Sequence, residues 1–186
     1  MAPAETVRRL EELALNALPA LESERYDGWV LRAAGGYTGR ANSASPLNRG
    51  ELKTADKILY TEDWYRSRAL PPMIRLTPAS QPPDLDMVLE QGGYQVRDEG
   101  VSVQARSLNR SFAARRVVEV AESLVPESWL GILASFQPRV QEHFDAVHHL
   151  FSRLPLTSSF ATIHRRANQP PSAGLCSRVT MSACSM

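Results

Sequence analysis

The sequence has little of what a disulfide framework or a membrane span would need. Of its 186 residues, two are cysteine, Cys176 and Cys184, and both lie close to the last residue. Disulfides therefore do not hold the body of the protein together, and without a second pair of cysteines a zinc site is not expected. No apolar run approaches the roughly 20 residues that cross a bilayer, and no basic stretch followed by an apolar core opens the chain. We expect a cytoplasmic protein that does not enter a membrane.

The net charge is also low, at +1 for 21 basic and 20 acidic residues. A chain with so little net charge has no broad field to attract polyanions, so nucleic acid and anionic membranes are disfavoured as partners. The length leaves room for one ordinary domain or two small ones with a real core.

Apolar spacing predicts three helices, over residues 4–18, 53–68 and 140–154. In the first, the expected core face consists of Val7, Leu10, Leu13, Ala14, Ala17 and Leu18, and in the second of Ala55, Ile58, Leu59 and Tyr65. Two shorter helices are expected after Asp84 and Pro126, since both residue types suit a helix start.

Residues 26–43 predict a β-hairpin made of two extended runs, 26–33 and 37–43, separated by Ala34-Gly35-Gly36. Along the second run small residues alternate with Arg40 and Asn42. Such a bare face lets a ligand or another backbone approach closely, while the opposite face offers hydrogen-bond donors. Tyr37, Arg40 and Asn42 are therefore the candidate substrate-binding residues. The alternative is a hairpin with a solvated outer face. We also expect replacement of Arg40 by alanine to alter binding more than stability.

Further strands are expected at residues 73–77, 94–96, 101–105, 117–121 and 160–164. With the helices they give a mixed α/β (α+β) order of elements, which predicts a sheet flanked by helices.

The stretches GWVLRAAGGYTGRANSASPL and WYRSRALPPMIRLTPASQPPDLDMVLEQGGYQV together resemble the N-terminal half of a GNAT-superfamily N-acetyltransferase of the two-module bacterial type. The resemblance is good over about the first 105 residues and thinner to about residue 164. It implies an N-terminal GNAT-like module, residues 1–106, and a linker, 107–116. It also implies the start of a second module, 117–166, of the kind that normally binds acetyl-CoA.

From Ala167 the sequence loses both strand and helix periodicity. In the resembling enzymes this point leads into the central strands of the second module. We therefore expect residues 167–186 to be an irregular tail that arose by frameshift or truncation.

Acetyl-CoA, the co-substrate that the resemblance implies, is held in that family by a loop of the form Arg/Gln-x-x-Gly-x-Gly/Ala at a helix N-terminus. The physical basis is that successive backbone N–H groups and the helix dipole both favour a pyrophosphate. Residues 32–37 and 97–102 come near the pattern but lack its final small residue. We expect no cofactor to bind this chain.

Other catalytic constellations are not indicated. His143, His148 and His149 are spaced five and six residues apart, whereas two metal ligands on one helical face need three or four. No serine lies in a nucleophile elbow, so covalent catalysis has no candidate. For direct acyl transfer Tyr37, Tyr94 and several glutamates could move a proton, and the sequence does not select among them.

By resemblance, the expected function is acetyl transfer from acetyl-CoA to a small-molecule amine, in a chain that is inactive alone. The alternative is a non-catalytic GNAT-like module that binds a small molecule or a protein partner. The sequence selects neither an acceptor amine nor an oligomeric state.

Overall fold

The computed structural model describes residues 3–97, 118–122, 127–154, 159–163 and 177–178. Its helices and strands, in chain order, are α1 (Ala4–Ala17), β1 (Glu22–Tyr26), β2 (Trp29–Ala33), β3 (Ser45–Pro46), α2 (Thr54–Arg66), α3 (Leu85–Gln91), β4 (Val118–Glu122), α4 (Glu127–Phe136), α5 (Pro138–Glu142), α6 (Phe144–Ser152), β5 (Ser159–Ile163) and β6 (Ser177–Arg178).

Two antiparallel three-stranded sheets organise these elements, with strand orders β1-β2-β3 and β4-β5-β6. Helices and sheets together confirm the predicted mixed α/β class. None of the helices in the described parts combines the length and the apolar character that crossing a bilayer requires.

The hairpin of the first sheet lies earlier in the chain than the sequence predicts. It joins β1 to β2, with Tyr26 paired to Trp29, so the turn is Asp27-Gly28. Both turn residues have positive φ, 41° and 85°. This is the requirement of a type I′ turn, whose twist matches that of the flanking strands. The prediction of a hairpin over residues 26–43 is therefore wrong in its turn and in its second strand.

The first core lies between this sheet and two helices. Trp29, Leu31 and Ala33 alternate along β2 and so share one face. They form a buried cluster with Ala44, Trp64, Tyr65, Leu85 and Leu89. Trp64 and Tyr65 belong to α2, and Leu85 and Leu89 belong to α3.

Helix α2 forms close to its predicted bounds, and its predicted face is right for two residues: Tyr65 is buried, and Ile58 packs, partly buried, against the first core. The prediction is wrong for Ala55 and Leu59. The buried residues of α2 are Lys57, Thr61, Trp64 and Tyr65, whereas Ala55 is exposed and Leu59 is 60% exposed. The cause is a partner in the hairpin turn. Lys57 Nζ lies 3.2 Å from Asp27 Oδ2 and also donates to the Asp27 carbonyl oxygen at 3.3 Å. Because its charge is paired with Asp27, the Lys57 side chain can point into the protein.

Helix α1 likewise forms where it is expected, but it contains no buried residue and Leu10 is 58% exposed. Polar contacts attach it to the rest of the protein. Arg75 pairs with Glu11 at 2.9 Å, and the buried Arg32 donates to the backbone oxygens of Leu15 and Leu18. The prediction that its apolar stripe is a core face is thus wrong.

The helix predicted over residues 140–154 is two helices, α5 and α6, with a break at His143. Together with α4 and Phe160 of β5 they enclose a second core of Trp129, Leu130, Leu133, Val140 and Val147. The short helix predicted after Pro126 is confirmed as α4.

The other predicted strands have mixed outcomes. Val118–Glu122 and Ser159–Ile163 confirm two of them. Residues 73–77 contain one isolated bridge, Ala44 to Ile74, and 94–96 form no strand. Residues 101–105 lie outside the described ranges. The predicted tail, 167–186, is described at Ser177–Arg178, which pair with β5. The module boundaries proposed above stay predictions.

Candidate functional site

The glycine loop, which we define as residues 34–43, connects β2 to β3 and is the stretch that the sequence marks as a substrate site. It is not a strand, as it contains a 3-10 turn at Gly39–Ala41. Gly35 and Gly36 have φ of 60° and 79°, a region that favours glycine. The predicted alternation of faces along residues 37–43 is therefore wrong, because alternation requires extended backbone.

Asn42 determines the shape of the glycine loop. Its buried Oδ1 accepts hydrogen bonds from the backbone N–H groups of Ala34 at 2.7 Å and Gly36 at 2.9 Å. Its Nδ2 donates to the carbonyl oxygens of Thr38 at 2.8 Å and Ala34 at 3.4 Å. The amide thus has its acceptor and both of its donors engaged within the loop. That Asn42 binds substrate stays a prediction.

Helix α6 packs directly on the glycine loop. A Cβ added to Gly35 would lie 2.6 Å from the Cβ of Ala146, closer than real Cβ contacts come. Ala34 and Ala41 form a buried cluster with Leu150. The small residues of the loop therefore admit another element of the same chain. We call this contact the seam: residues 34–43 of the glycine loop against α5 and α6.

Three side chains with hydrogen-bonding groups gather at the border of the seam, around Gly36. Arg139 Nη2 donates to the Gly36 carbonyl oxygen at 3.2 Å. The His143 Cε1 atom lies 3.8 Å from the position that a Cβ on Gly36 would take. Tyr37 is half-buried and packs against two apolar clusters: the second core, and the cluster of Ala34, Ala41 and Leu150. Burial raises the pKa of Tyr37, and the nearby Arg139 charge opposes this.

Arg40 stands apart from this group. Its side chain is exposed, and among the described residues it makes neither a hydrogen bond nor an ion pair. Its backbone oxygen accepts a hydrogen bond from Arg32 Nη1 at 2.9 Å. The loop position of Arg40 is thus fixed while its guanidinium remains available to a ligand or partner.

The sequence alone does not indicate that Arg139 belongs to this site, because it lies about 100 residues beyond the glycine loop. The sequence draws attention to His143 only as a candidate metal ligand. Neither residue is part of a motif, so the one available signal is the apolar period of α5 and α6, which indicates that these helices pack against something. It does not indicate what.

The hydroxyls of Tyr94 and Tyr65 are already engaged in hydrogen bonds. The Tyr94 hydroxyl donates to Glu62 Oε1 at 2.9 Å, and burial together with Glu62 raises its pKa. The Tyr65 hydroxyl donates to the Arg32 carbonyl oxygen at 2.9 Å, and burial raises its pKa to about 12. In contrast, the Tyr37 hydroxyl forms no hydrogen bond within the described part of the chain. Of the two tyrosines considered for proton movement, Tyr37 is the one left unengaged.

Within the described ranges no three His, Cys, Asp or Glu side chains are placed to hold a metal ion. The near match to an acetyl-CoA loop at residues 32–37 starts in β2 and runs into the glycine loop, so no helix N-terminus follows it. The other near match, 97–102, lies almost entirely outside the described residues.

Comparison with known proteins identifies relatives among acetyltransferases. A 29% identical relative over 159 residues is the Uncharacterized N-acetyltransferase YobR of Bacillus subtilis (strain 168), and the match covers 83% of this chain and 62% of the relative. Another, 36% identical over 86 residues, is the Probable histone acetyltransferase Rv0428c of Mycobacterium tuberculosis (strain ATCC 25618 / H37Rv). That match covers 46% of this chain and 28% of the relative. The chain thus spans less than two thirds of the length of either relative.

No solved structure gives a significant match to the chain. A protein-family model described as Probable histone acetyltransferase Rv0428c C-terminal matches residues 4–150. This match covers well over half of the chain, and its range includes the glycine loop, α5 and most of α6. The chain therefore belongs to the family described as Probable histone acetyltransferase Rv0428c C-terminal.

Proposed function

We propose that this chain serves the transfer of an acetyl group from acetyl-CoA to an amine, and that the seam receives the acceptor amine. The observation that carries the proposal is the family match over residues 4–150, because that range includes both the glycine loop and the helices that border it. The acetyltransferase names of both relatives support the same reaction class.

In this reaction the amine nitrogen attacks the thioester carbonyl carbon, the carbon–sulfur bond breaks, and an amide forms. The amine must lose a proton and the departing thiolate must gain one. Tyr37 is suited to the second task. Its phenol carries a proton, and its hydroxyl forms no hydrogen bond within the described parts of the protein.

The co-substrate needs a different part of the protein. A pyrophosphate site requires backbone N–H groups at a helix N-terminus, and the glycine loop leads only into a three-residue 3-10 turn. Two of its amides, those of Ala34 and Gly36, are already bonded to Asn42. We therefore propose that residues other than those of the glycine loop hold acetyl-CoA, and that the chain by itself does not bind it in the micromolar range.

A non-catalytic module that binds a small molecule or a protein is the second candidate. The engagement of the Ala34 and Gly36 amides within the loop favours it, because a catalytic chain would need a phosphate-binding loop elsewhere. The two candidates differ in the ligand of the seam, which is an acceptor amine in the first and a small molecule or protein that is not acetylated in the second.

Calorimetric titration with acetyl-CoA, together with a free-thiol assay, tests the proposal. Acceptors would be spermidine, a lysine-containing peptide and an amino sugar. We expect at least one amine to bind and acetyl-CoA to give no saturable heat. Micromolar acetyl-CoA binding with thiol release would show that the chain is a complete enzyme. Failure of every amine to bind would overturn the acceptor role.

A further inference from the structure

The border of the seam is rich in hydrogen-bond donors that lack acceptors. Of the five N–H donors of the Arg139 guanidinium, one bonds the Gly36 carbonyl oxygen in the described structure. The Tyr37 hydroxyl has no partner within the described residues, and the His143 imidazole lies beside the same glycine. An exposed guanidinium that bonds Gly36, an imidazole next to Gly36 and the half-buried phenol of the following residue thus occur at one short piece of backbone.

Among the residues that the structure describes, no carboxylate pairs with Arg139. Glu142 lies three residues from Arg139 on the same helix, a spacing at which side chains can meet. Yet neither Glu142 nor Asp145 forms an ion pair with Arg139 within 4 Å, although four such pairs occur elsewhere in the described chain. The charge of Arg139 is therefore left for a ligand.

An oxyanion is the group that fits this set. Arginine presents a planar fork that bonds two oxygens of a carboxylate or a phosphate, and a hydrogen bond that carries charge is about twice as strong as a neutral one. The Tyr37 hydroxyl can donate a further bond.

We propose that Arg139, Tyr37 and His143 form a subsite for the carboxylate or phosphate group of an acceptor that also carries an amine. This inference rests on the proposed function, since it names the class of acceptor for the same site. It predicts that acceptors with an acidic group bind more tightly than the same amines without one.

Matched probes test the subsite on the full chain by ¹H–¹⁵N NMR at constant ionic strength. Phosphoethanolamine against ethanolamine tests phosphate, and 4-aminobutyrate against butylamine tests carboxylate. Inorganic phosphate and acetate test the anion alone. We expect saturable shifts at the amides of Gly36 and Tyr37, and about tenfold tighter binding of whichever acidic probe is preferred.

Arg139→Gln should remove that preference, whereas Arg8→Gln, at an exposed arginine of α1, should retain it. Tyr37→Phe should weaken binding by a smaller factor. Both arginines are exposed, so neither change should alter the thermal midpoint.

Equal binding of acidic and plain amines at the seam would overturn the subsite and leave the proposed acceptor role intact. The subsite would also be overturned if Arg8→Gln lost the preference for acidic probes as fully as Arg139→Gln. Chemical-shift changes that spread over the chain without saturating would overturn it as well. Binding of phosphate or acetate at Gly36 without any amine binding would support the subsite and contradict the acceptor role.

Discussion

At the scale of single residues, Asn42 and Asp27 each hold several backbone groups of a turn. Asn42 bonds the amides of Ala34 and Gly36 and the carbonyl oxygens of Thr38 and Ala34. Asp27 accepts from the Glu51 amide at 2.8 Å and the Leu52 amide at 2.9 Å. Side chains that satisfy several main-chain groups at once are costly to replace, because each abandoned buried group loses a partner.

Replacement of Asn42 by alanine should lower the free energy of unfolding by roughly 2–4 kcal/mol, since a buried polar group left without a partner costs about 1–3 kcal/mol. Chemical denaturation would measure this loss. Asn48→Ala, at an exposed position, is the matched control and should change stability by less than about 0.5 kcal/mol. Similar stabilities of the two variants would contradict the role assigned to Asn42.

Asp27 should contribute to the loss of stability in acid. The Glu51 amide, together with the Leu52 amide and Lys57, lowers the pKa of Asp27 against the opposing effect of burial. A depressed folded pKa stabilises the protein above the unfolded value, about 3.9, and this contribution is lost as pH falls through the folded pKa.

In Asp27→Asn, the difference between the free energies of unfolding at pH 6 and pH 3 should therefore be smaller than in the wild-type chain. Asparagine tolerates the positive φ of this position, so the turn is retained. Asp63→Asn is the control, because that carboxylate is 73% exposed in its ion pair. An unchanged acid dependence in Asp27→Asn would contradict the account.

At the scale of elements, the seam depends on the absence of a side chain at Gly35. Alanine there would meet two penalties: its φ of 60°, and a Cβ contact of 2.6 Å with Ala146. Gly93 offers a matched comparison, since its φ is 84° and an added Cβ would meet nothing within 4 Å.

We expect Gly93→Ala to cost about 1–2 kcal/mol, from the backbone alone. Gly35→Ala should cost about 1–3 kcal/mol more, which is the usual range for overpacking. Adding Ala146→Gly to Gly35→Ala should recover part of this excess, and a double-mutant cycle from thermal unfolding would quantify the coupling. If the two alanine variants lost equal free energy of unfolding, α6 would not pack tightly against the glycine loop.

The elements that the sequence predicts well are those that depend on local signals. The helices α1, α2 and α4 follow from apolar spacing and flanking prolines. The predicted hairpin is misplaced because two pairs with positive φ, Asp27-Gly28 and Gly35-Gly36, lie eight residues apart and give the same local signal. Only the position of Ala146, more than 100 residues later, shows that the second pair serves packing rather than a turn.

The predicted core faces failed where a tertiary partner overrides the apolar pattern. Lys57 and Thr61 are buried because α2 turns the lysine toward Asp27, and the sequence does not connect these two residues. The single long helix was predicted because the apolar period continues across His143, where the backbone breaks. In the site, Tyr37 could be predicted from its loop, whereas Arg139 and His143 reach it only through the fold.

At the scale of the whole molecule, the seam joins the first sheet to the helices of residues 127–154. Leu150 is buried with Ala34 and Ala41, and Arg153 donates to the carbonyl oxygen of Ala20 at 3.1 Å. Contacts of this kind couple the two parts, because opening one exposes apolar surface of the other.

We therefore expect the two parts to unfold together. The three tryptophans, Trp29, Trp64 and Trp129, report on both cores and can be labelled as 5-fluorotryptophan without mutation. Fluorine NMR in increasing urea should show one midpoint for all three resonances. A lower midpoint for Trp129 alone would show that the helices are attached only loosely.

The acceptor role of the seam is the central claim, and hydrogen–deuterium exchange with and without amines measures it most directly. The chain would be compared free and with spermidine, a lysine-containing peptide, phosphoethanolamine or 4-aminobutyrate. We predict slower exchange in residues 34–43 and 138–147 with at least one amine, and unchanged exchange in α2. No slowing with any of these amines, or slowing confined to residues away from the seam, would contradict the claim.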